Sequence, residues 1–312
     1  MNKLKKTLAL GIVLCMIFAV TACQNGNTDT VEEGVKAEVN NKVITQEEYD
    51  EHLSVYRKMA ETQFGAGAWD MEVQEGQTMG NYYESTLLDQ LIMDLLLVDA
   101  AEKEGITISE EELQAELDTF KTYLDTEEQY KQFLEGYGMT EEYLKESLRK
   151  EYLINHYLSV KIENLQPSDE EMKTLFNDLK MNESVRASHI LVATEEEAKN
   201  VIDRINKGEN FEDLAKEVST DPGSAANGGD LDYFDYVDMV QPFSEAAFAM
   251  EIGEVSEPVQ SDFGYHIIKV TDKKVDEAVT IETEKTALTE YFKSMKYEEL
   301  LEELEKKADI NK

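Results

Sequence analysis

The sequence predicts an α+β chain in which a mostly helical body is interrupted by one small module of short antiparallel strands and helices. Three observations carry this expectation. Helix starts of one kind recur: Thr45 with Glu48, Ser109 with Glu112, Thr126 with Gln129, Ser168 with Glu171 and Thr194 with Glu197. In each, a hydroxyl and a carboxylate or amide three residues on can satisfy free backbone donors of a first helical turn. At about Glu183 the texture changes to short apolar runs and glycine-rich turns, with one obvious helix among them. At about Lys273 it reverts, and a last amphipathic stretch follows. With 312 residues the chain can hold two or three domains with cores of their own.

Charge removes whole classes of function. Acidic residues number 67 against 30 basic, for a formal net charge of −37. Such a surface repels phosphate backbones, so no nucleic-acid partner is expected. Hydrophobic residues make up 41% of the chain and recur at regular spacing, which argues against disorder. The two cysteines, Cys15 and Cys23, both lie near the N-terminus. The body therefore has no disulfide and no thiolate metal site, and packing alone must hold it.

Taken in order, residues 1–22 have a lysine-rich start, an apolar stretch from Leu8 to Val20 and then small residues, the layout of a secretory signal. The segment Val20-Thr21-Ala22-Cys23 resembles the bacterial lipobox, which implies that Cys23 is diacylated and heads the mature chain. Two acyl chains hold a membrane stably where one does so only reversibly. A lipid bilayer is thus the expected partner of Cys23, at the outer face of the bacterial cytoplasmic membrane. Residues 23–34 are polar and read as a tether, and no later stretch approaches the ~20 apolar residues of a membrane span.

Val35 to Ile44 alternates around Asn40-Asn41 and reads as a hairpin. Amphipathic helices are expected at Tyr82–Glu104, closed by Gly105, and at Glu110–Leu124, Thr126–Gly136, Thr140–Lys161, Ser168–Met181 and Ile281–Lys307. Phe64 to Gly80, with the only tryptophan, Trp69, reads as a loop. Because so many acidic pairs are helix starts, paired carboxylates are weak evidence here for acid–base catalysis. The starts follow no fixed period, so no solenoid is expected.

The module carries the chemistry. His189 and His266 each sit on an apolar run that reads as a strand, which suggests buried imidazoles in need of hydrogen-bond partners. They could be a core pair holding two strands; a zinc site would need a third ligand, for which Asp221 is the candidate. No metal or cofactor is expected. Three segments stand together: Val185-Arg-Ala-Ser-His189-Ile-Leu-Val192, then Phe211 to Asp221 followed by Gly228-Gly229-Asp230-Leu231, then Met239-Val-Gln-Pro242-Phe243 followed by Phe263-Gly264-Tyr265-His266. In this order and spacing, residues 183–272 resemble the parvulin family of peptidyl-prolyl isomerases. The resemblance implies an apolar cup for proline at Leu231, Met239, Phe243 and Phe263, and a polar centre at His189, Asp221 and His266. Isomerisation needs only rotation over a barrier of about 18–20 kcal/mol, with no bond broken. A cleft that strips water from the amide and favours its twisted form is enough.

Two departures bear on specificity. Where the family usually has glycine after Asp230-Leu231, this chain has Asp232, the first of three acids in Asp232-Tyr-Phe-Asp-Tyr-Val-Asp238. That run points to an isomerase that is either weak or selective for basic substrates. Thr194-Glu195-Glu196-Glu197 stands where phosphate-directed parvulins have a basic loop, so phosphoserine-proline recognition is rejected on charge.

Outside the module, the hairpin followed by Thr45-Gln-Glu-Glu-Tyr49 resembles the start of the chaperone domain in PrsA- and SurA-type exported foldases. The resemblance implies five parts: a signal peptide over 1–22, a tether over 23–34, an N-terminal chaperone domain over 35–182, a parvulin domain over 183–272, and a C-terminal helix within 273–312 that completes the chaperone domain. The expected function is a membrane-tethered foldase that isomerises X–Pro bonds in newly secreted or unfolded polypeptides. The rival expectation is a holdase whose module binds chains without catalysis. A solute-binding lipoprotein would need alternating βαβ texture, which is missing.

Overall fold

The computed structural model describes residues 34–312 except Glu75, so the leader and Cys23 lie outside the described residues. Contacts divide the chain into two units, one running to Leu165 and resuming at Met295–Lys312, the other Gln166–Ser294. In chain order, β1 (Val35–Val39) and β2 (Lys42–Thr45) precede α1 (Gln46–Phe64). A small hairpin, β3 (Glu72–Gln74) and β4 (Gln77–Thr78), leads into α2 (Met79–Lys103). Then come α3 (Glu110–Thr122), α4 (Glu127–Tyr137), α5 (Glu141–Leu158) and α6 (Asp169–Asp178). The module follows with β5 (Glu183–Val192), α7 (Glu195–Asn206), α8 (Phe211–Val218), β6 (Asp230–Asp235), α9 (Gln241–Ala249), β7 (Val259–Ser261) and β8 (Gly264–Val275). The chain closes with α10 (Lys285–Lys307) and β9 (Ile310–Asn311).

Local sequence sets most of these ends. Asn40 and Asn41 both adopt positive φ (50° and 65°), which a tight two-residue hairpin turn requires and asparagine tolerates. Complete reciprocal caps form at Ser109/Glu112, Ser168/Glu171 and Thr194/Glu197. At Thr45 and Thr126 only the hydroxyl half forms, accepting from the backbone N–H of Glu48 and Gln129. Beyond α2, the Ile106 N–H reaches Ala101 O (3.0 Å) and the Gly105 N–H reaches Glu102 O (2.9 Å), closing the helix where Gly105 was expected to. The helix expected to run on to Lys161 ends at Leu158 and passes into a wider π-type turn over Ser159–Glu163.

In the first unit, α2 is the central element. Leu87, Leu91, Ile92 and Leu96 pack against Ala37, Val39 and Ile44 of the hairpin. Met93, Leu97 and Ala101 meet Leu113 of α3, Leu153, Ile154 and Tyr157 of α5, and Leu301 of α10. Strand β9 pairs with β1, giving a sheet in the order β2-β1-β9. The end of the chain thus returns to its first hairpin. The segment Phe64–Gly80 is more than the loop the sequence suggested. A 3-10 turn at Ala68–Asp70 buries Trp69, which stacks on Tyr83 at 5.7 Å. A Cβ on Gly80 would lie 2.4 Å from the Trp69 indole nitrogen, so glycine is required for α2 to begin there.

The second unit is built on an antiparallel sheet in the order β6-β5-β8-β7. Strand alternation gives it two faces. Ile190, Val192 and Ile267 pack under α7 and α8 with Ala198, Phe211 and Leu214. Val185, Ala187, Ile268 and Val270 pack on the other face with Phe234 of β6 and Phe243, Ala247 and Phe248 of α9. Three helices cover this sheet where the sequence showed one. Helix α9 shows no clear apolar period, whereas Phe211, Leu214, Ala215 and Val218 of α8 do recur at helical spacing. The unit is wider than 183–272, taking in α6 and the first part of α10. Helix α10 begins at Lys285 rather than Ile281, after a turn in which Thr280 Oγ1 accepts the Thr283 N–H. Of its large apolar side chains, Leu288, Phe292 and Leu301 are buried, while Tyr291 and Met295 are 40% and 39% exposed.

Candidate active site

Alternation along β5 and β8 puts His189 and His266 on the α9 side of the sheet, in phase with Ala187 and Ile268. The pairing of β5 with β8 brings the two rings together, stacked at 17° with Nδ1 to Nδ1 at 3.2 Å. Asp221, in the loop after α8, lies with Oδ2 2.8 Å from His189 Nε2. That carboxylate is itself held by the backbone N–H groups of Gly223 (3.0 Å) and Ser224 (3.1 Å) and by the Ser224 hydroxyl. Ser224 Oγ also lies 3.0 Å from His189 Nε2. On the far side, Ser261 Oγ lies 2.7 Å from His266 Nε2 and accepts the Phe263 N–H at 3.1 Å.

These contacts fit one continuous line of donors. A carboxylate only accepts, so His189 Nε2 carries a proton and donates it to Asp221. Burial and the neighbouring His189 push His266 down to about 4, so its ring is neutral at ordinary pH. His266 Nε2 then accepts from the Ser261 hydroxyl, and its Nδ1–H donates to His189 Nδ1. One line of donors runs from Ser261 through both rings to Asp221. Burial works to raise the Asp221 pKa, but the bonds from Ser224, His189 and Gly223 outweigh it and hold the carboxyl down to about 2.

Backbone close to the rings is also constrained. The His189 N–H donates to Gly229 O at 2.9 Å, and a Cβ on Gly229 (φ +81°) would lie 2.1 Å from His189 O. Only glycine lets β6 approach β5 here. Three residues on, Asp232 adopts φ +58°, a region that the glycine usual at this position would enter freely. An Asx-type bond from the Asp232 N–H to Asp230 Oδ1 (3.1 Å) helps hold it there, and Asp230 in turn takes the Arg186 guanidinium through both oxygens. Of the three acids in this run, Asp238 is occupied by the Asp235 N–H, whereas the Asp232 side chain is largely exposed, 3.9 Å from Arg186.

Leu231, Met239 and Phe243 join one apolar cluster beside the histidines. Phe243 meets both imidazoles edge-on, at 5.6 and 5.3 Å between centroids, yet is only 2% exposed. It was expected to matter more to substrate than to the core; the structure makes it a core residue on which the rings rest. Leu231 and Met239 are partly exposed and can present surface to a bound chain. Phe263 stands apart, 69% exposed, and no ring contact joins it to the other three. Ser224 and Ser261 were not anticipated. The spacing Asp221-x-x-Ser224 is a recognisable local turn, but nothing local marks Ser261, whose partner is set by the pairing of β7 with β8.

Comparison with known proteins points one way. The PPIC-type PPIase domain matches residues 171–274, and the SurA-like N-terminal domain matches residues 1–158. The foldase protein PrsA of Halalkalibacterium halodurans is 40% identical over 236 residues, covering 73% of this chain and 69% of that protein. The foldase protein PrsA of Caldanaerobacter subterraneus is 32% identical over 280 residues, covering 88% of this chain and 86% of its own. The crystal structure of the peptidylprolyl isomerase PrsA from Bacillus anthracis is 27% identical, covers 71% of this chain and 96% of its own, and superposes with a TM-score of 0.48.

Proposed function

We propose that this chain, which belongs to the PrsA family of foldases and is a peptidyl-prolyl cis–trans isomerase, works outside the cytoplasm, tethered to the membrane by acylated Cys23. The tether rests on the basic, apolar leader that ends in Val20-Thr21-Ala22-Cys23. Mass spectrometry of the membrane-extracted protein should give an N-terminus at Cys23 carrying acyl chains, and Cys23→Ala should release the protein from the membrane. An unmodified Cys23 in membrane-bound protein would end the idea. The polypeptide substrates are secreted or unfolded chains that contain X–Pro bonds. The end of helix α10, from Met295 on, and β9 complete the N-terminal chaperone domain.

Within the isomerase unit, His189, His266 and Asp221 hold the cleft's shape and polarity, and Leu231 and Met239 offer the apolar surface for the proline ring. The observation that carries this assignment is that all four imidazole nitrogens are engaged inside the protein. Neither ring has a free lone pair or N–H for the substrate. Rotation is then promoted by removing water from the amide and by matching the twisted form, with no proton transferred.

Met239→Ala should slow isomerisation of a proline tetrapeptide about tenfold while leaving the melting temperature nearly unchanged. His189→Ala should lower both, because it strands Asp221 and His266, at a cost of about 1–3 kcal/mol per orphaned group. In the intact protein the rate should stay level from neutral pH down to about pH 5, one unit above the His266 transition. It should fall as the pH nears 4, where His266 gains a proton and Nε2 can no longer accept from Ser261. A rate that titrates near the ordinary histidine value of about 6.5 would mean that a free imidazole takes part in the chemistry.

A further inference from the structure

The helical unit holds two adjoining cavities, of about 500 and 480 Å³, that share a wall formed by His52 of α1, Asp94 of α2, and Tyr143, Ser147 and Lys150 of α5. Two contacts tie the wall together: Tyr143 Oη lies 2.7 Å from His52 Nδ1, and Lys150 Nζ lies 2.7 Å from Asp94 Oδ2. The first cavity has an apolar floor that includes Ile44, Leu91, Leu95, Val98 and Leu153, with Val43, 45% exposed, also on its lining. Its volume is that of a cleft able to take a side chain, with a small apolar floor beneath a charged rim.

Its charge selects the occupant. Six carboxylates and two cations line this cavity. Both cations are already used, Arg149 by Glu110 and Glu146, and Lys150 by Asp94. Glu102 takes Lys42. The carboxylates of Glu48, Glu51 and Glu142 make no ion pair or side-chain hydrogen bond among the described residues. We propose that this cleft is a client-binding site distinct from the isomerase cleft, and that it takes an extended polypeptide segment whose bulky apolar residue is flanked by lysine or arginine. The apolar side chain fills the floor, and the cation answers Glu48, Glu51 and Glu142. The occupant is a polypeptide rather than an anionic surface, because a lipid or nucleic-acid phosphate would meet uncompensated carboxylates. The proposal rests on the foldase reading and adds to it where, and by what chemistry, a client is held when no proline is in play.

The test uses the full chain and two short fluorescein-labelled peptides without proline, one with Phe-Lys-Leu at its centre, the other with Phe-Glu-Leu. Fluorescence anisotropy should show the lysine peptide bound about fivefold more tightly, the scale expected when a cation meets partly screened carboxylates. The preference should shrink with added salt. Changing Glu48→Gln, Glu51→Gln and Glu142→Gln together should remove the preference while leaving melting and prolyl-tetrapeptide isomerisation as they were. Val43→Ser, at a half-exposed position, should weaken both peptides alike. A preference that survives the triple change would overturn the proposal, as would binding of both peptides that is lost in Met239→Ala and untouched by Val43→Ser. If the chain isomerises prolyl peptides but binds neither probe, the cleft assignment fails alone; if it does neither, the foldase reading fails with it.

Discussion

Deleting Met295–Lys312 should abolish cooperative melting of the helical unit, although the deleted piece is only the end of the chain. Leu301 sits in the cluster of Leu97, Leu113, Leu153 and Ile154, with Leu300 and Leu304 packed against it. Further on, Ala308 and Ile310 cover the hairpin cluster of Ala37, Val39 and Ile44. Strand β9 pairs with Glu38 and Val39, and Asn40 and Asp309 exchange two bonds of 3.0 Å. Each aliphatic side chain is worth about 1.5–3 kcal/mol when fully buried. Three or four partly buried ones together approach the about 5–15 kcal/mol that a whole domain has in hand. Leu301→Ala alone should cost about 2–4 kcal/mol and lower the melting temperature while leaving the transition cooperative. Circular dichroism melts of the two variants decide the matter. A tail-deleted protein whose helical unit still melts sharply at the wild-type temperature would show that α10 and β9 are an accessory to that core.

How much of this could be read beforehand follows from the range over which each feature is determined. Caps and turns are set by neighbours three or four residues apart, so the starts at Ser109, Ser168 and Thr194 and the Asn40-Asn41 turn were legible one by one. Amphipathic spacing is almost as local, but it reports only that a face is apolar, not what covers it. Leu288 and Leu301 are both buried apolar residues of α10, yet they fall in different units. Trp69 shows the same limit, since the stack it forms with Tyr83 depends on how far the chain folds back between α1 and α2. In the site, His189 and His266 were visible as polar residues on apolar runs, and Asp221 was given its place in an isomerase centre only by the resemblance. Ser261 was invisible because its bond to His266 exists only once β7 lies beside β8. The left-handed φ of Asp232 was likewise hidden, although the missing glycine marked the position.

Phe243→Ala should be the most damaging single change in the isomerase unit, and the damage should fall on stability first. The motif suggested a side chain that contacts substrate, whose loss would cost rate more than stability. The structure reverses that order. Phe243 is among the largest fully buried side chains, packed edge-on against His189, His266 and Phe234 and in one cluster with Val185, Ala187 and Ile268. Truncating a buried phenylalanine costs about 3–5 kcal/mol, which for a unit of this size means a fall on the order of 10 °C or more in melting temperature. The rings of His189 and His266 would lose the surface they lean on, so isomerisation should fall with the fold. Phe243→Leu keeps most of the volume and should cost less than about 1.5 kcal/mol, which separates the two roles. If Phe243→Leu melts near the wild-type temperature and retains most of its prolyl isomerase activity, the ring supports the site from behind. If it melts normally but loses activity as completely as the alanine variant, the aromatic face itself touches the proline, and the burial of Phe243 has to be relieved when substrate binds.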